Sequence, residues 1–240
     1  MPSPTSTARE CFLFNRDHHN HIKTVLESLN SELFLDARCY LGGGTAIALR
    51  FGEFRQSLDL DFMVSSTDGY RELREMVKGP GFESLTVREL PLLREPMVDQ
   101  YGIRAILEAA GVPIKFEIIS EGRISFETPG PDDEICGMRT LCLLDMVASK
   151  LLANSDRWAD TSVFSRDLID LAMIEPDDNL MDEAVSKAEG AYGVSVVSDL
   201  DKAIDYHREN PHRLDRCMRE LQMDSTPKAL LWDRMQRLYR

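Results

Sequence analysis

The sequence predicts an α+β fold: a small mixed β-sheet flanked by helices, followed by a helical C-terminal domain. Three observations carry that expectation. A glycine turn at 42–44 joins a short apolar strand to a helix, strict apolar alternation follows at 58–64, and the pattern beyond about 140 is helical almost throughout.

Taken in order, Thr7-Ala8-Arg9-Glu10 forms a capping box, and Leu13, Ile22, Val25, Leu26 and Leu29 continue a helix with a break near 15–17. Residues 39–41 read as a strand and 45–51, rich in Ala, Ile and Leu, as a helix. Between 58 and 64, Leu58, Leu60, Phe62 and Val64 alternate with Asp59, Asp61 and Met63, the period of a half-buried strand, so both aspartates share one face. A helix over 69–78 closes on Gly79-Pro80-Gly81. Strands are expected near 85–90, 100–109, 114–119 and 124–127, with Lys115, Glu117 and Ile119 on one face of the third. Helices follow at 140–154, where Leu141, Leu144, Val147, Ala148, Leu151 and Leu152 form an apolar stripe, and at 165–174. Asn210-Pro211 and Thr226-Pro227 mark two more helix starts, each placing a proline at the first helical position. The division expected is a core at 1–138 with its N-terminal helix, and a helical domain at 139–240.

Composition narrows the functions available. The longest apolar stretch, 141–152, is interrupted by Asp145 and Lys150, so no membrane span is expected, and 1–9 lacks the apolar core of a signal peptide. Five scattered cysteines without a C-x-x-C pair suggest neither a disulfide framework nor a zinc site, and a cytoplasmic setting fits. A formal charge of −13 argues against a broad nucleic-acid surface, because such surfaces neutralise phosphates with Lys and Arg. Any polynucleotide contact must be local. From Asp201 onward nine basic and seven acidic residues reverse the sign to +2, against −15 for the preceding 200 residues.

The chemistry-bearing residues begin with the glycine turn. Glycines at 42–44 let backbone amides approach a ligand, and the helix that follows offers free N–H groups and a positive dipole end, which together cradle phosphate. Such a turn also serves simply to pack a helix on a sheet. Asp59 and Asp61 aim two carboxylates at one point, as holding magnesium against a triphosphate requires, although a solvated strand face is the plain alternative. Fourteen positions separate Thr45 from Asp59, enough for a helix and a return to the sheet. His18, His19 and His21 sit in a polar segment without carboxylate or cysteine company and read as an exposed helix start. Arg213, Arg216 and Arg219 recur at three-residue spacing and suit an acceptor's phosphates, while Asp215 and Glu220 equally make an ordinary salt-bridged helix.

Gly43-Gly44-Thr45-Ala46, Ala48-Leu49-Arg50 and Arg55-x-Ser57-x-Asp59-Leu60-Asp61-Phe62 together resemble the AbiEii/AbiGii toxin family of nucleotidyltransferases, in the polymerase-beta-like superfamily. Two later segments extend the resemblance to about 40–174. Lys115-Phe116-Glu117-Ile118 is similar to the family's third-carboxylate strand, and Lys150 with Arg166-Asp167-Leu168-Ile169-Asp170-Leu171 to its helical K…RD-x-x-D segment. The resemblance implies a sheet core typical of nucleotidyltransferases and transfer of an NMP from an NTP to an acceptor hydroxyl. Mg²⁺ or Mn²⁺ would be the cofactor, tRNA 3′ ends the family's acceptor, and a cognate antitoxin the partner.

Carried over by residue, it implies that Gly43, Gly44 and Thr45 hold the nucleotide phosphates, that Asp59 and Asp61 bind metal, and that Glu117 is the third carboxylate, ligating metal or accepting the acceptor's proton. Lys150 and Arg157, seven apart on one helix, would neutralise triphosphate charge as pyrophosphate leaves. Asp167 matches the functional aspartate, whereas Asp170, four after Arg166, suits an intrahelical pair. Arg50 and Arg55 reach phosphate or form structural ion pairs. Two other readings remain open at this level: a protein or small-molecule acceptor, and a non-catalytic nucleotide-binding module that acts through a partner.

Overall fold

The computed structural model describes residues 13–240; the capping box at Thr7–Glu10 lies outside them. The N-terminal part runs α1 (Asp17–Leu26), α2 (Ser31–Asp36), β1 (Cys39–Leu41), α3 (Gly43–Arg50), β2 (Asp59–Val64) and α4 (Thr67–Lys78). Then come β3 (Met97–Val98), β4 (Gly102–Ala109), β5 (Val112–Ser120) and a hairpin of β6 (Glu134–Ile135) and β7 (Met138–Arg139). Helices complete the chain: α5 (Leu143–Arg157), α6 (Arg166–Ile174), α7 (Asp178–Tyr192), α8 (Ser195–Glu209), α9 (Pro211–Glu220) and α10 (Lys228–Arg237).

Five strands form one mixed sheet in the order β1-β2-β5-β4-β3. The central β2–β5 pair is parallel and the others are antiparallel, so the expected mixed sheet is present. Alternation gives it two chemically different faces. Leu60, Phe62 and Val64 of β2, Ile114, Phe116 and Ile118 of β5, and Ile103, Ala105 and Leu107 of β4 turn to one side and are almost wholly buried. Phe34 and Phe82 close on this face, with ring centroids 4.7 Å from Phe62 and 5.4 Å from Phe116. The opposite face carries Asp59, Asp61 and Met63 beside Lys115, Glu117 and Ile119, because the register sets Asp59 opposite Lys115 and Asp61 opposite Glu117. Burial of the first face therefore fixes the aspect of the second; a one-residue slip would invert both.

Two expected strands do not form. At 85–90 the chain leaves a 3₁₀ turn (Phe82–Leu85) and makes only an isolated bridge between Leu29 and Thr86, with Val87 exposed and no neighbouring strand to take it. At 124–127 side chains satisfy the backbone instead of a strand: Phe126 N–H donates to Ser65 Oγ at 2.9 Å, and Glu127 N–H to Asp145 Oδ2 at 2.7 Å. The helix expected from 140 begins at Leu143, since Leu141 N–H is held by the Leu41 carbonyl at 2.9 Å and Thr140 bridges to β1. Pro211 opens α9 as expected, whereas Pro227 caps α10 from outside.

Among the described residues Cys39, Cys142 and Cys217 are free thiols. No described helix is long and apolar enough to cross a membrane.

Candidate active site

The glycine turn follows directly on β1 and lies against β2, tied by a 2.8 Å hydrogen bond from Gly42 N–H to the Asp61 carbonyl. Gly43 has φ +64°, and a Cβ there would stand 2.5 Å from Asp61 Oδ2. A Cβ on Gly44 would stand 2.1 Å from Arg55 Nη2. Glycines are thus required for two reasons: backbone conformation at 43, and close approach of the α3 N-terminus to an aspartate and an arginine at both positions. That terminus, with its unpaired first-turn N–H groups, opens on the cleft.

The cleft has a volume of about 390 Å³. Gly43, Gly44, Asp59, Asp61, Lys115 and Glu117 line one side, and Ser149, Lys150, Ala153, Asp156 and Arg157 of α5, with Arg166 of α6, line the other. Arg55 and Arg123 also line it, and Met63, Leu141 and Met146 add apolar surface. The structure therefore brings together Gly43, Gly44, Asp59, Asp61, Glu117, Lys150 and Arg157.

Thr45 and Asp167 do not line it. The Thr45 side chain is buried, its hydroxyl 2.8 Å from Ser57 Oγ and donating to the Asp59 carbonyl. It fastens the strand that presents Asp59, and its hydroxyl is not free to meet a ligand. Asp167 is buried behind Lys150 and Arg157, with Lys150 Nζ and Arg157 Nη2 on Oδ1 at 2.8 and 2.9 Å and Arg157 Nε on Oδ2 at 2.7 Å.

Asp170, expected to pair with Arg166, instead receives Arg55 in a bidentate pair, Nε to Oδ1 at 2.7 Å and Nη2 to Oδ2 at 2.9 Å, and Lys150 Nζ at 2.7 Å. Three cations and two acids thus interlock, all but Arg157 buried. Burial alone would raise the Asp167 carboxyl, but Lys150 and Arg157 overcome it and hold it well below the usual carboxylate range. Asp61 shifts the other way. Burial, then repulsion from Asp59 and Glu117, raise its carboxyl, and Lys150 and Lys115 only partly relieve it. The glycine side of the cleft therefore holds surplus negative charge, and the α5 side presents positive charge.

Glu117 is turned toward cations, 3.2 Å from Lys115 Nζ and 3.6 Å from Arg104 Nε. Arg50, left open by the sequence, makes an ion pair with Asp133 at 2.7 Å. His19, expected to be exposed, is fully buried: Nδ1 lies 2.8 Å from Glu53 Oε1, and Nε2 accepts the Ser57 N–H at 3.2 Å. It braces the segment leading into β2. The sequence assigned no role to Arg123 or Asp156, and to Arg166 only an intrahelical pair with Asp170; its place beside the K…RD-x-x-D aspartate is the signal that could have pointed to the cleft.

Comparisons with known proteins agree with this architecture. No curated protein matches the chain. A crystal structure from H. pylori, described as that of a candidate nucleotidyltransferase, superposes with a TM-score of 0.50 at 18% identity, covering 93% of each chain. JHP933 from Helicobacter pylori gives 0.47 at 17% identity, over 95% of this chain and 94% of that one. At such identity the first likeness speaks for the fold alone. The sequence family described as nucleotidyl transferase AbiEii toxin, type IV TA system, matches residues 24–238, spanning the sheet, the cleft and nearly all the helices behind it. On that match the chain belongs to the AbiEii family of nucleotidyl transferase toxins.

Proposed function

We propose that the cleft binds a nucleoside triphosphate and Mg²⁺ or Mn²⁺, and transfers the nucleoside monophosphate to a hydroxyl at the 3′ end of tRNA. The observation that carries this reading is the opposition, across one cleft, of the Asp59/Asp61 pair under a glycine turn to Lys150 and Arg157.

The donor set fits a divalent cation. Asp61 is raised by burial and by its acidic neighbours, so positive charge is what that spot lacks. Among the described residues no three His, Cys, Asp or Glu side chains stand together as a ready-made metal site. Asp59 and Asp61 would hold the ion with the substrate's own phosphate oxygens completing its shell, the habit of Mg²⁺. When bound, the metal would supply charge neutralisation at the α-phosphoryl group and lower the pKa of the acceptor hydroxyl.

The chain's own residues do the rest. The backbone N–H groups of Gly43, Gly44 and Thr45 receive phosphate oxygens at the α3 N-terminus. The acceptor oxygen attacks the α-phosphorus, and the bond from that phosphorus to the α–β bridging oxygen breaks. The acceptor's proton passes to Glu117, cross-strand from Asp61. Pyrophosphate departs against Lys150 and Arg157, which Asp167 and Asp170 hold in place. Asp167 is on this account a positioning residue that acts through the two cations. A cognate antitoxin is the proposed protein partner, as the family's type IV system implies.

The test is transfer of α-labelled nucleotide from each of the four NTPs to deacylated tRNA in Mg²⁺, by the wild type and by Asp59→Ala. The variant should lose activity by about a thousandfold, the several kcal/mol a metal contributes to the transition state. Equal labelling by both proteins would sink the proposal. Label arriving on a protein or a small molecule would keep the chemistry and reassign the acceptor.

A further inference from the structure

We infer that Arg166, Arg213 and Arg216 form a docking track for the phosphodiester backbone of the acceptor strand, leading from the α9 N-terminus into the cleft. The inference rests on the proposed nucleotidyl transfer and names the surface that would hold its acceptor.

The charge pattern is the first reason. Every other cation lining the cleft is tied to a carboxylate: Arg55 to Asp170, Lys115 to Glu117, Arg123 to Glu121 and Asp156, Lys150 and Arg157 to Asp167. Among the described residues Arg166, Arg213 and Arg216 make no ion pair, and they are the unpaired arginines that line the cleft and the concavity beside it. Asp215, which the sequence offered as their neighbour, pairs with Lys228 at 2.6 Å instead.

The second reason is how the guanidinium groups are held. Arg213 lies over the Tyr206 ring at 4.7 Å and Arg216 over Phe164 at 5.7 Å, so aromatic faces fix the planes without consuming the N–H edges. Arg213 spends Nη2 on Ser165 Oγ at 3.2 Å, and its Nε is buried with no partner. Arg216, with no hydrogen bond among the described residues, presents a whole planar fork that matches the paired oxygens of a phosphate, and Arg213 adds its remaining Nη1 edge. These arginines line a concavity of about 380 Å³ between α8 and α9, whose one acid is Glu209.

Backbone strain is the third. Phe164 and Ser165 are consecutive non-glycine residues at φ +54° and +52°, a conformation that costs free energy at each. This turn places Ser165 against Arg213, Phe164 against Arg216, and the next residue, Arg166, in the cleft. Three successive residues, 164–166, thus link the arginines of the concavity to the wall of the cleft. The chain as a whole carries a formal charge of −13, so a polyanion needs a local run of unneutralised cations such as this one.

Binding of labelled deacylated tRNA by the full chain, measured from 50 to 200 mM salt, tests the track. The Arg213→Ala/Arg216→Ala double variant should bind about tenfold more weakly at low salt. Its plot of log affinity against log salt should be shallower by roughly 1.5, as expected when two phosphates go unneutralised, with NTP binding unchanged. Arg213 is partly buried, so Arg216→Glu, at an exposed position, provides a second reading that folding does not confound. Folded variants whose affinity and salt slope equal those of the wild type would overturn the inference, as would a wild type that binds no tRNA. A wild type that binds tRNA through these arginines yet transfers no nucleotide would support the track and defeat the reading of the cleft.

Discussion

A methyl group added at Gly44 would stand 2.1 Å from Arg55 Nη2 and 3.5 Å from Asp170 Oδ2, inside a buried ion pair that has no room to open. Gly44→Ala is therefore expected to push Arg55 off Asp170. Breaking a buried pair strands charge away from water at a cost of about 3–5 kcal/mol, so the urea midpoint should fall markedly and transfer activity with it. Gly43→Ala meets a different obstacle: φ is +64° and the new Cβ lies 2.5 Å from Asp61 Oδ2. Left-handed backbone costs an L-residue about 1–2 kcal/mol, so this variant should stay folded while Asp61 is displaced, losing turnover out of proportion to stability. Activity and urea unfolding measured on the pair of variants check both statements; a fully active Gly43→Ala would show that the turn does not govern Asp61. These glycines and the Asp59/Asp61 pair were legible in the sequence because turn and alternation are local signals. The Arg55–Asp170 pair was not, since its partners lie 115 positions apart and only the folded chain brings them together. His19 was misjudged for a similar reason: its polar sequence neighbours suggested exposure, whereas Glu53, 34 positions away, supplies the partner that lets a histidine be buried.

Among the elements, α8 carries a comparable hidden group. His207 is 2% exposed, and neither ring nitrogen has a hydrogen-bond partner. Burial, with Arg213 nearby, lowers its pKa to about 4 from the usual 6.5. The unfolded chain thus binds a proton that the folded chain refuses between those values. Stability is full above pH 6.5 and declines as pH falls toward 4, by about 3 kcal/mol in all. Replacing His207 with Leu should remove most of that slope, seen as thermal midpoints at pH 5 and pH 7 that draw together in the variant; an undiminished acid slope would place the sensitivity elsewhere. Helices of this half were legible as elements because apolar spacing and the Asn210-Pro211 start are written locally. The strands expected at 85–90 and 124–127 failed because strand propensity needs a neighbour to pair with. One segment reaches the surface beside no strand, and the other has its N–H groups taken by Ser65 and Asp145.

At the scale of the whole molecule, the expected division at 138/139 falls within β7, and one continuous set of buried apolar side chains runs from Ile22 to Leu238. The cleft itself is shared: Asp59, Asp61 and Glu117 stand on β2 and β5, and Lys150, Arg157 and Arg166 on α5 and α6. Arg55, which precedes β2, makes its buried ion pair with Asp170 of α6, so separating the two parts would expose apolar core and break that pair. We therefore expect the parts to unfold together. The two tryptophans, Trp158 and Trp232, both lie in the helical part, whereas far-UV circular dichroism reports on the whole chain. In urea the two signals should follow one transition with the same midpoint, the signature of a single cooperative unit. Asp170→Asn weakens the shared clamp without emptying its volume, and it should lower that common midpoint before it divides the curve. A tryptophan transition well separated from the circular-dichroism midpoint in the wild type would show instead that sheet and helices are independently stable, with the cleft no more than their point of contact.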